Sequence, residues 1–149
     1  MGKEIERKFL IKELPANLEE YQYHELEQGY LNTAPVVRVR KEDDDYYLTY
    51  KGKGFMEREE YNLPLNEEAY LHLIKKADGN IISKRRYLIP FGSFTIELDV
   101  FKEPFAPLIL AEVEFASVEE AESFTPPVWF GEDVTGDYHY SNSYLLKSL

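Results

Sequence analysis

Charged side chains recur two residues apart along this chain, and the sign of the charge is sorted by segment. Glu4, Glu6 and Lys8 form one series; Arg38 and Arg40, Lys84 and Arg86, Glu97 and Asp99, and Glu112 and Glu114 form others. Thr49 with Lys51, and Arg58 with Glu60 and Asn62, keep the same spacing. In a β-strand, residues i and i+2 point to one face about 6.6 Å apart, so each series puts its charges on one side. The residues between them are largely apolar: Ile5 and Phe9, Val37 and Val39, Leu48 and Tyr50, Val113 and Phe115. For any one strand, such alternation is the mark of a half-buried sheet with a solvated face. Taken together it fits less well, because a solvated face mixes charged and neutral residues loosely. Here acids stand on the first and last segments and bases on those between.

If the charged faces converge, the bases Lys8, Arg38, Arg40, Lys51, Arg58, Lys84 and Arg86 meet the acids Glu4, Glu6, Glu60, Glu97, Asp99, Glu112 and Glu114. Burying so many charges is costly unless they are paired or liganded. A polyanion with a divalent cation would do the liganding. Arg offers a planar fork to phosphate oxygens and Lys a point charge. Paired carboxylates are hard oxygen ligands suited to Mg2+ or Mn2+. His24, His72 and His139 are scattered and suggest no zinc site, and the chain has no cysteine, which excludes disulfides and thiolate metal sites.

The elements that must carry these residues alternate over the whole length. Strands are predicted over Lys3–Ile11, His24–Leu31, Val36–Lys41, Tyr46–Lys51, Met56–Leu63, Ile82–Ile89, Phe94–Phe101 and Leu108–Phe115, with the acidic run Glu42–Asp45 as a solvated hairpin turn. Pro15–Tyr21 is a turn or short helix. Asn66 caps a helix running to Ala77 with Tyr70, Leu73, Ile74 and Ala77 as its apolar stripe, ended by Asp78-Gly79-Asn80. Ser117 with Glu120 is a capping-box pattern opening a short helix before Pro126-Pro127. A last helix is expected over Ser141–Leu149, seated by Tyr144, Leu145 and Leu146, and Trp129 is expected in the core. The fold class is α+β: eight antiparallel strands closed into a barrel of small-ligand size, with helices outside and the charges in the lumen.

At 149 residues the chain reads as a single domain over 1–149. Its net charge of −11 repels nucleic acid and anionic membranes unless the bases are concentrated. No apolar run reaches the length of a membrane span, Met1-Gly2-Lys3-Glu4 carries no signal-peptide pattern, and a reducing cytoplasm is the default compartment. The expected partner is a small-molecule polyanion, with neither nucleic acid nor membrane; assembly as a homodimer is left open.

Glu4-Ile5-Glu6-Arg7-Lys8-Phe9-Leu10 resembles the Glu-x-Glu-x-Lys signature of the CYTH, or triphosphate tunnel metalloenzyme, superfamily. Gln28-Gly29-Tyr30-Leu31, Arg38-x-Arg40, Lys51, Arg58-Glu59-Glu60-Tyr61, Lys84-x-Arg86-Tyr87, Glu97-x-Asp99 and Glu112-x-Glu114-Phe115 follow in the family's order, and the tail Gly131–Asp137 with Tyr140-Ser141-Asn142 resembles its bacterial, tripolyphosphatase-like branch. The resemblance implies a tunnel barrel requiring Mg2+ or Mn2+, in which Lys8, Arg38, Arg40, Lys51, Lys84 and Arg86 hold phosphate and Glu4, Glu6, Glu112 and Glu114 hold metal. Arg58 is added to the phosphate set and Glu60 to the metal set, with a mutual structural pair as the alternative. Glu97 and Asp99 either complete the metal shell or hold Arg and Lys side chains in place. Lys8 and Lys51 either neutralise phosphate or, with Tyr30 orienting one of them, accept a proton. Two departures stand out: Asn62 where the fifth strand commonly carries a second Glu, and His139 where bacterial relatives often show Arg. The implied activity is hydrolysis of a triphosphate, first of all inorganic tripolyphosphate. The alternatives are a class IV adenylate cyclase, a thiamine- or nucleoside-triphosphatase, and a non-catalytic module binding triphosphate or polyphosphate.

Overall fold

In the computed structural model, which describes residues 3–54 and 56–141, the strands form one antiparallel sheet. They are β1 (Glu4–Ile11), β2 (Gln22–Thr33), β3 (Val36–Glu42), β4 (Asp45–Lys51), β5 (Glu57–Arg58), β6 (Glu60–Leu65), β7 (Asp78–Phe91), β8 (Phe94–Phe101), β9 (Ile109–Glu114) and β10 (Phe130–Asp133), with helices α1 (Glu67–Ile74) and α2 (Val118–Ser123). The hydrogen-bonded order is β10-β1-β9-β8-β7-β2-β3-β4-β6. A single segment joins the two sides of this path. β6 pairs with β4 through Lys51↔Glu60, and β5 pairs with β1 through Glu4↔Arg58. The expected fifth strand therefore splits at Glu59, because one segment must change partner for the sheet to curl into a ring. At the break the Gly52 amide donates to the Glu59 carbonyl at 3.0 Å, and the Glu6 amide to that of Met56 at 2.9 Å.

Other boundaries differ from expectation for local reasons. α1 ends at Ile74, short of Ala77, and Asp78-Gly79-Asn80 opens β7 as well as ending the helical segment. Gly79, at φ 69°, takes the left-handed conformation that the reversal needs. Asn66 caps α1 as expected, accepting from the Ala69 amide at 2.7 Å. The capping box at α2 forms with a shift: Ser117 Oγ accepts from the Glu120 amide at 3.1 Å, while Glu120 reaches the amide of Ala116, one residue before the cap, at 2.9 Å. Pro15–Tyr21 contains a 3-10 turn at Leu18–Glu20. The hairpin turn tightens to Asp43-Asp44, with Glu42 in β3 and Asp45 in β4. Asp43 is more than a solvated turn residue, since it accepts from the Glu25 amide at 2.9 Å and pairs with His24 Nδ1 at 2.6 Å. The helix expected over Ser141–Leu149 falls, beyond Ser141, outside the described residues.

β10 was not expected, since four residues with two acids and one apolar ring carry no period of their own. Tertiary contacts make it. Phe130 packs on Phe9 with ring centroids 4.8 Å apart, and Arg7 binds Asp133 through Nε at 3.2 Å and a terminal nitrogen at 2.8 Å. The other terminal nitrogen of Arg7 donates to the carbonyls of Ala121 at 2.9 Å and Phe124 at 3.3 Å at the end of α2. One guanidinium thus ties β1, β10 and α2 together. Arg7→Met is expected to cost about 2 kcal/mol, the scale of hydrogen bonds to a charged group, read as a lower urea midpoint with an unchanged m-value.

Two apolar clusters bracket the ring. The outer one, between the sheet and α2 with β10, contains Phe9, Ile96, Leu98, Val113, Ala121, Phe124 and Phe130, with Trp129 packed against it. The second contains Tyr30, Val36, Ile82, Phe101 and Leu110. Register puts these five on the lumen face: Tyr30 opposes Arg38, Val36 opposes Lys51, Gln28 opposes Ile82, Lys84 opposes Phe101 and Asp99 opposes Leu110. The lumen is therefore charged along part of its length only, and apolar side chains of the same parity pack together over the rest.

Candidate active site

The period-two charges do converge. A cavity of about 260 Å³ lies within the ring. Lys8, Tyr30, Arg38, Arg40, Lys51, Arg58, Lys84 and Arg86 line it, as do Glu4, Glu6, Glu60, Glu97, Glu112 and Glu114. Among the described residues, nine polar or charged side chains are buried, including Glu4, Glu6, Arg38, Lys51, Lys84 and Arg86. β3 and β9 face each other, each four steps from the other in both directions: through β8, β7 and β2, or through β1, the split strand and β4. The arginines of β3 thus look across the lumen at the glutamates of β9.

Most of the bases are already offset by acids. Lys51 Nζ lies 3.0 Å from both oxygens of Glu4 and 3.5 Å from Glu60, and Arg58 Nε is 3.6 Å from Glu4. Arg86 binds the fully buried Asp99 with two parallel bonds of 2.7 and 2.9 Å and lies 3.5 Å from Glu97 and 3.8 Å from Glu112. Lys84 meets Asp99 at 2.7 Å. Lys8 Nζ donates to the Tyr140 carbonyl at 3.1 Å. Arg38 and Arg40 differ: their side-chain partners are Thr49 at 3.3 Å and Gln28 at 2.7 Å, both neutral. Burial, with Arg38 and Arg86 close by, pushes Arg40 down to about 9. Tyr30 is also shifted down: burial would raise its hydroxyl, but Arg38, Lys51 and Arg40 hold it below the usual phenol range.

On the acidic side, Glu4, Glu6 and Glu114 each bring one carboxylate oxygen within 4.8 Å of the others. Burial, then Glu112 and Glu4, push Glu6 well above the ordinary carboxyl range. Burial, then Glu97, Glu4 and Glu60, push Glu114 up to about 7. Glu4 goes the other way, because Lys51 beside it outweighs burial. Glu112 is likewise held well below the ordinary range, with Lys8, Arg86 and Lys84 overcoming burial. Two acids of the group are thus short of positive charge while two guanidiniums across the lumen are short of negative charge.

The CYTH domain matches residues 2–132 of this chain. The chain belongs to the CYTH family. It is 39% identical to an inorganic triphosphatase of Nitrosomonas europaea over 98% of each chain. It is 38% identical to an inorganic triphosphatase of Acetivibrio thermocellus, over 99% of this chain and 96% of that one. A crystal structure of an inorganic triphosphatase superposes with a TM-score of 0.72 at 37% identity, covering 98% of this chain and 95% of the other.

Membership in the CYTH family implies a divalent cation, and the residues present fit one. Glu4, Glu6 and Glu114 are hard oxygen donors of the right number and proximity, and burial and the neighbouring glutamates together raise the carboxyls of Glu6 and Glu114, a crowding that a cation would relieve. Not all six acids expected as ligands join this group. Asp99 has both oxygens taken by Arg86 and Lys84, the arrangement of a residue that holds bases in place. Glu60 lies with Lys51, and Glu112 lies beside the group under Arg86. His139 is turned to Asp137 at 2.9 Å and is largely exposed.

The CYTH lumen also holds residues that sequence reasoning missed. Glu42 lines the cavity. It continues the period of Arg38 and Arg40, but the acids that follow it made it read as turn. Thr49 and Asn62 share faces with site residues by spacing, and Gln28 stands two residues before Tyr30, but spacing gives none of the three a role. Gln28 and Thr49 are buried, and Asn62 lines the cavity.

Proposed function

We propose that this chain hydrolyses inorganic tripolyphosphate to pyrophosphate and phosphate with Mg2+ or Mn2+. The observation that carries the reading is the pair of opposed charges across one lumen: Arg38 and Arg40 on β3 have no acidic partner among the described residues, and Glu4, Glu6 and Glu114 cluster on the other side. A linear polyanion with a divalent cation satisfies both at once. The names of the two relatives support the same substrate.

Arg38, Arg40 and Arg86 would hold phosphate oxygens, with Lys84 behind them adding charge from its buried place beside Asp99. Lys8, on the Tyr140 carbonyl, and Lys51, on Glu4, would neutralise the phosphates nearest the acids. A divalent cation on Glu4, Glu6 and Glu114 supplies Lewis-acid polarisation of phosphate oxygens and of water. The fixed bases offset the charge that builds on the transferring group during in-line attack. Walls of side chain keep bulk water from weakening these fields. The cavity's lining is charged apart from Tyr30, Val36, Asn62 and Ser141, which suits an inorganic polyanion.

The test is a substrate panel of tripolyphosphate, pyrophosphate, ATP, GTP and thiamine triphosphate, each with Mg2+ and with Mn2+. Tripolyphosphate is expected to be turned over fastest, and excess EDTA to abolish turnover. Full activity in EDTA, or cyclic AMP as the product from ATP, would refute the reading.

A further inference from the structure

Gln28 is fully buried within the ring. Its Oε1 accepts from Arg40 Nε at 2.7 Å, and its Nε2 donates to the Tyr30 hydroxyl oxygen at 3.3 Å. The amide has one orientation open to it. A guanidinium only donates, so the carbonyl oxygen must face Arg40 and the NH2 must then face Tyr30. Tyr30 receives a hydrogen bond there and keeps its own proton for the lumen that it lines.

A carboxylate at position 28 would reverse both effects. It would offset the charge of Arg40 in a charge-assisted bond, and it would take up the Tyr30 proton. Thr49 and Asn62 repeat the device for Arg38: Thr49 Oγ1 accepts from Arg38 at 3.3 Å and donates to Asn62 Oδ1 at 2.6 Å. Arg38 is 4% exposed, and its Nε, buried, has no hydrogen-bond partner among the described residues.

We propose that Gln28 is a positioning residue, seconded by the Thr49–Asn62 pair, that fixes Arg40 and Tyr30 through a neutral amide so that the guanidinium charge and the hydroxyl proton are both left for phosphate oxygens. The inference rests on the triphosphate reading above and names what sets the tunnel's anion affinity. Fixing a base with an acid gives a rigid base with part of its charge offset, as at Arg86 with Asp99. Fixing it with an amide or hydroxyl gives a rigid base at full charge.

The test compares the wild type with Gln28→Glu and Gln28→Met, using titration calorimetry with tripolyphosphate in excess EDTA and thermal unfolding without ligand. Gln28→Glu is expected to bind tenfold or more weakly, because the new carboxylate competes with the ligand for Arg40, yet to melt above Gln28→Met, which strands a buried guanidinium. Gln28→Met is expected to lose less affinity. Affinity and stability therefore rank the two variants in opposite orders. Parallel orders would make Gln28 a structural residue only and overturn the proposal. If Gln28→Glu fails to fold, Asn62→Asp decides at the exposed rim: weaker binding at a near wild-type melting temperature is expected, and unchanged affinity overturns the proposal. A wild type that binds no tripolyphosphate in EDTA and turns none over with Mg2+ or Mn2+ would remove the triphosphate reading itself, whereas a wild type that binds and a Gln28→Glu variant that binds equally well remove this inference alone.

Discussion

Glu6→Gln is expected to cut tripolyphosphate turnover about a thousandfold while raising the melting temperature of the protein in EDTA. The loss follows from removing one of three carboxylates proposed to hold the cation: withdrawing about 4 kcal/mol of transition-state stabilisation corresponds to about three orders of magnitude. The gain in stability follows from the same crowding that makes the site. Glu6 is 8% exposed, and burial, Glu112 and Glu4 hold its carboxyl well above the usual range. A carboxyl whose folded pKa lies above its unfolded value favours the unfolded chain once pH rises past the unfolded value, and that penalty is complete above the folded one. Gln keeps the shape without the ionisation, so the penalty disappears at neutral pH. Phosphate release and calorimetric melting on one preparation would check both halves. An active variant within tenfold of wild type would show that Glu6 holds no essential cation. A less stable one would show that the carboxylate is compensated.

Asp99→Asn is the larger effect on the fold. Asp99 carries two bonds from Arg86 and one contact from Lys84, all buried. Burial would raise its carboxyl, but Arg86 and Lys84 hold it below the ordinary range. Asn is nearly isosteric, so no cavity forms; what changes is that Lys84 loses its anion and Arg86 the nearest of its three. Breaking a buried pair from one side costs about 3 to 5 kcal/mol, a large part of the about 5 to 15 kcal/mol that holds a domain together. The measurement is urea unfolding. A second variant, Lys84→Met on the Asp99→Asn background, is expected to return part of the loss, because it removes one of the stranded charges. A loss below about 1 kcal/mol, the range of a solvent-screened pair, would mean that water reaches these groups and that the lumen is wetter than its burial indicates.

Much of the site was legible because side-chain parity is a property of the strand backbone. Glu4 with Glu6, Arg38 with Arg40, and Glu112 with Glu114 share faces in any strand, whatever the strand pairs with. Parity does not say where a shared face stops being polar. Tyr30, Val36, Ile82, Phe101 and Leu110 lie on the lumen side of their strands, yet they pack together as an apolar end. Nor could parity sort the acids. Asp99 stands by spacing either for metal or for holding Arg and Lys side chains, and register decides by setting it opposite Arg86. Glu42 was lost to a local signal: four acids in a row read as a turn, although the strand continues through the first of them.

The sequence by itself determined which residues line one face of each strand, that those faces carry opposed charges on different strands, and where the helices are capped. These are consequences of bonds within a few residues. The tertiary structure alone decided that the fifth strand splits at Glu59 to join β1 to β4, that a short acidic segment becomes β10, and that β3 lies across the lumen from β9. It also decided which bases are neutralised and which are left to bind. Those outcomes depend on distances between side chains from opposite ends of the chain, and the Coulomb energy that makes a site varies with those distances, which no local pattern encodes.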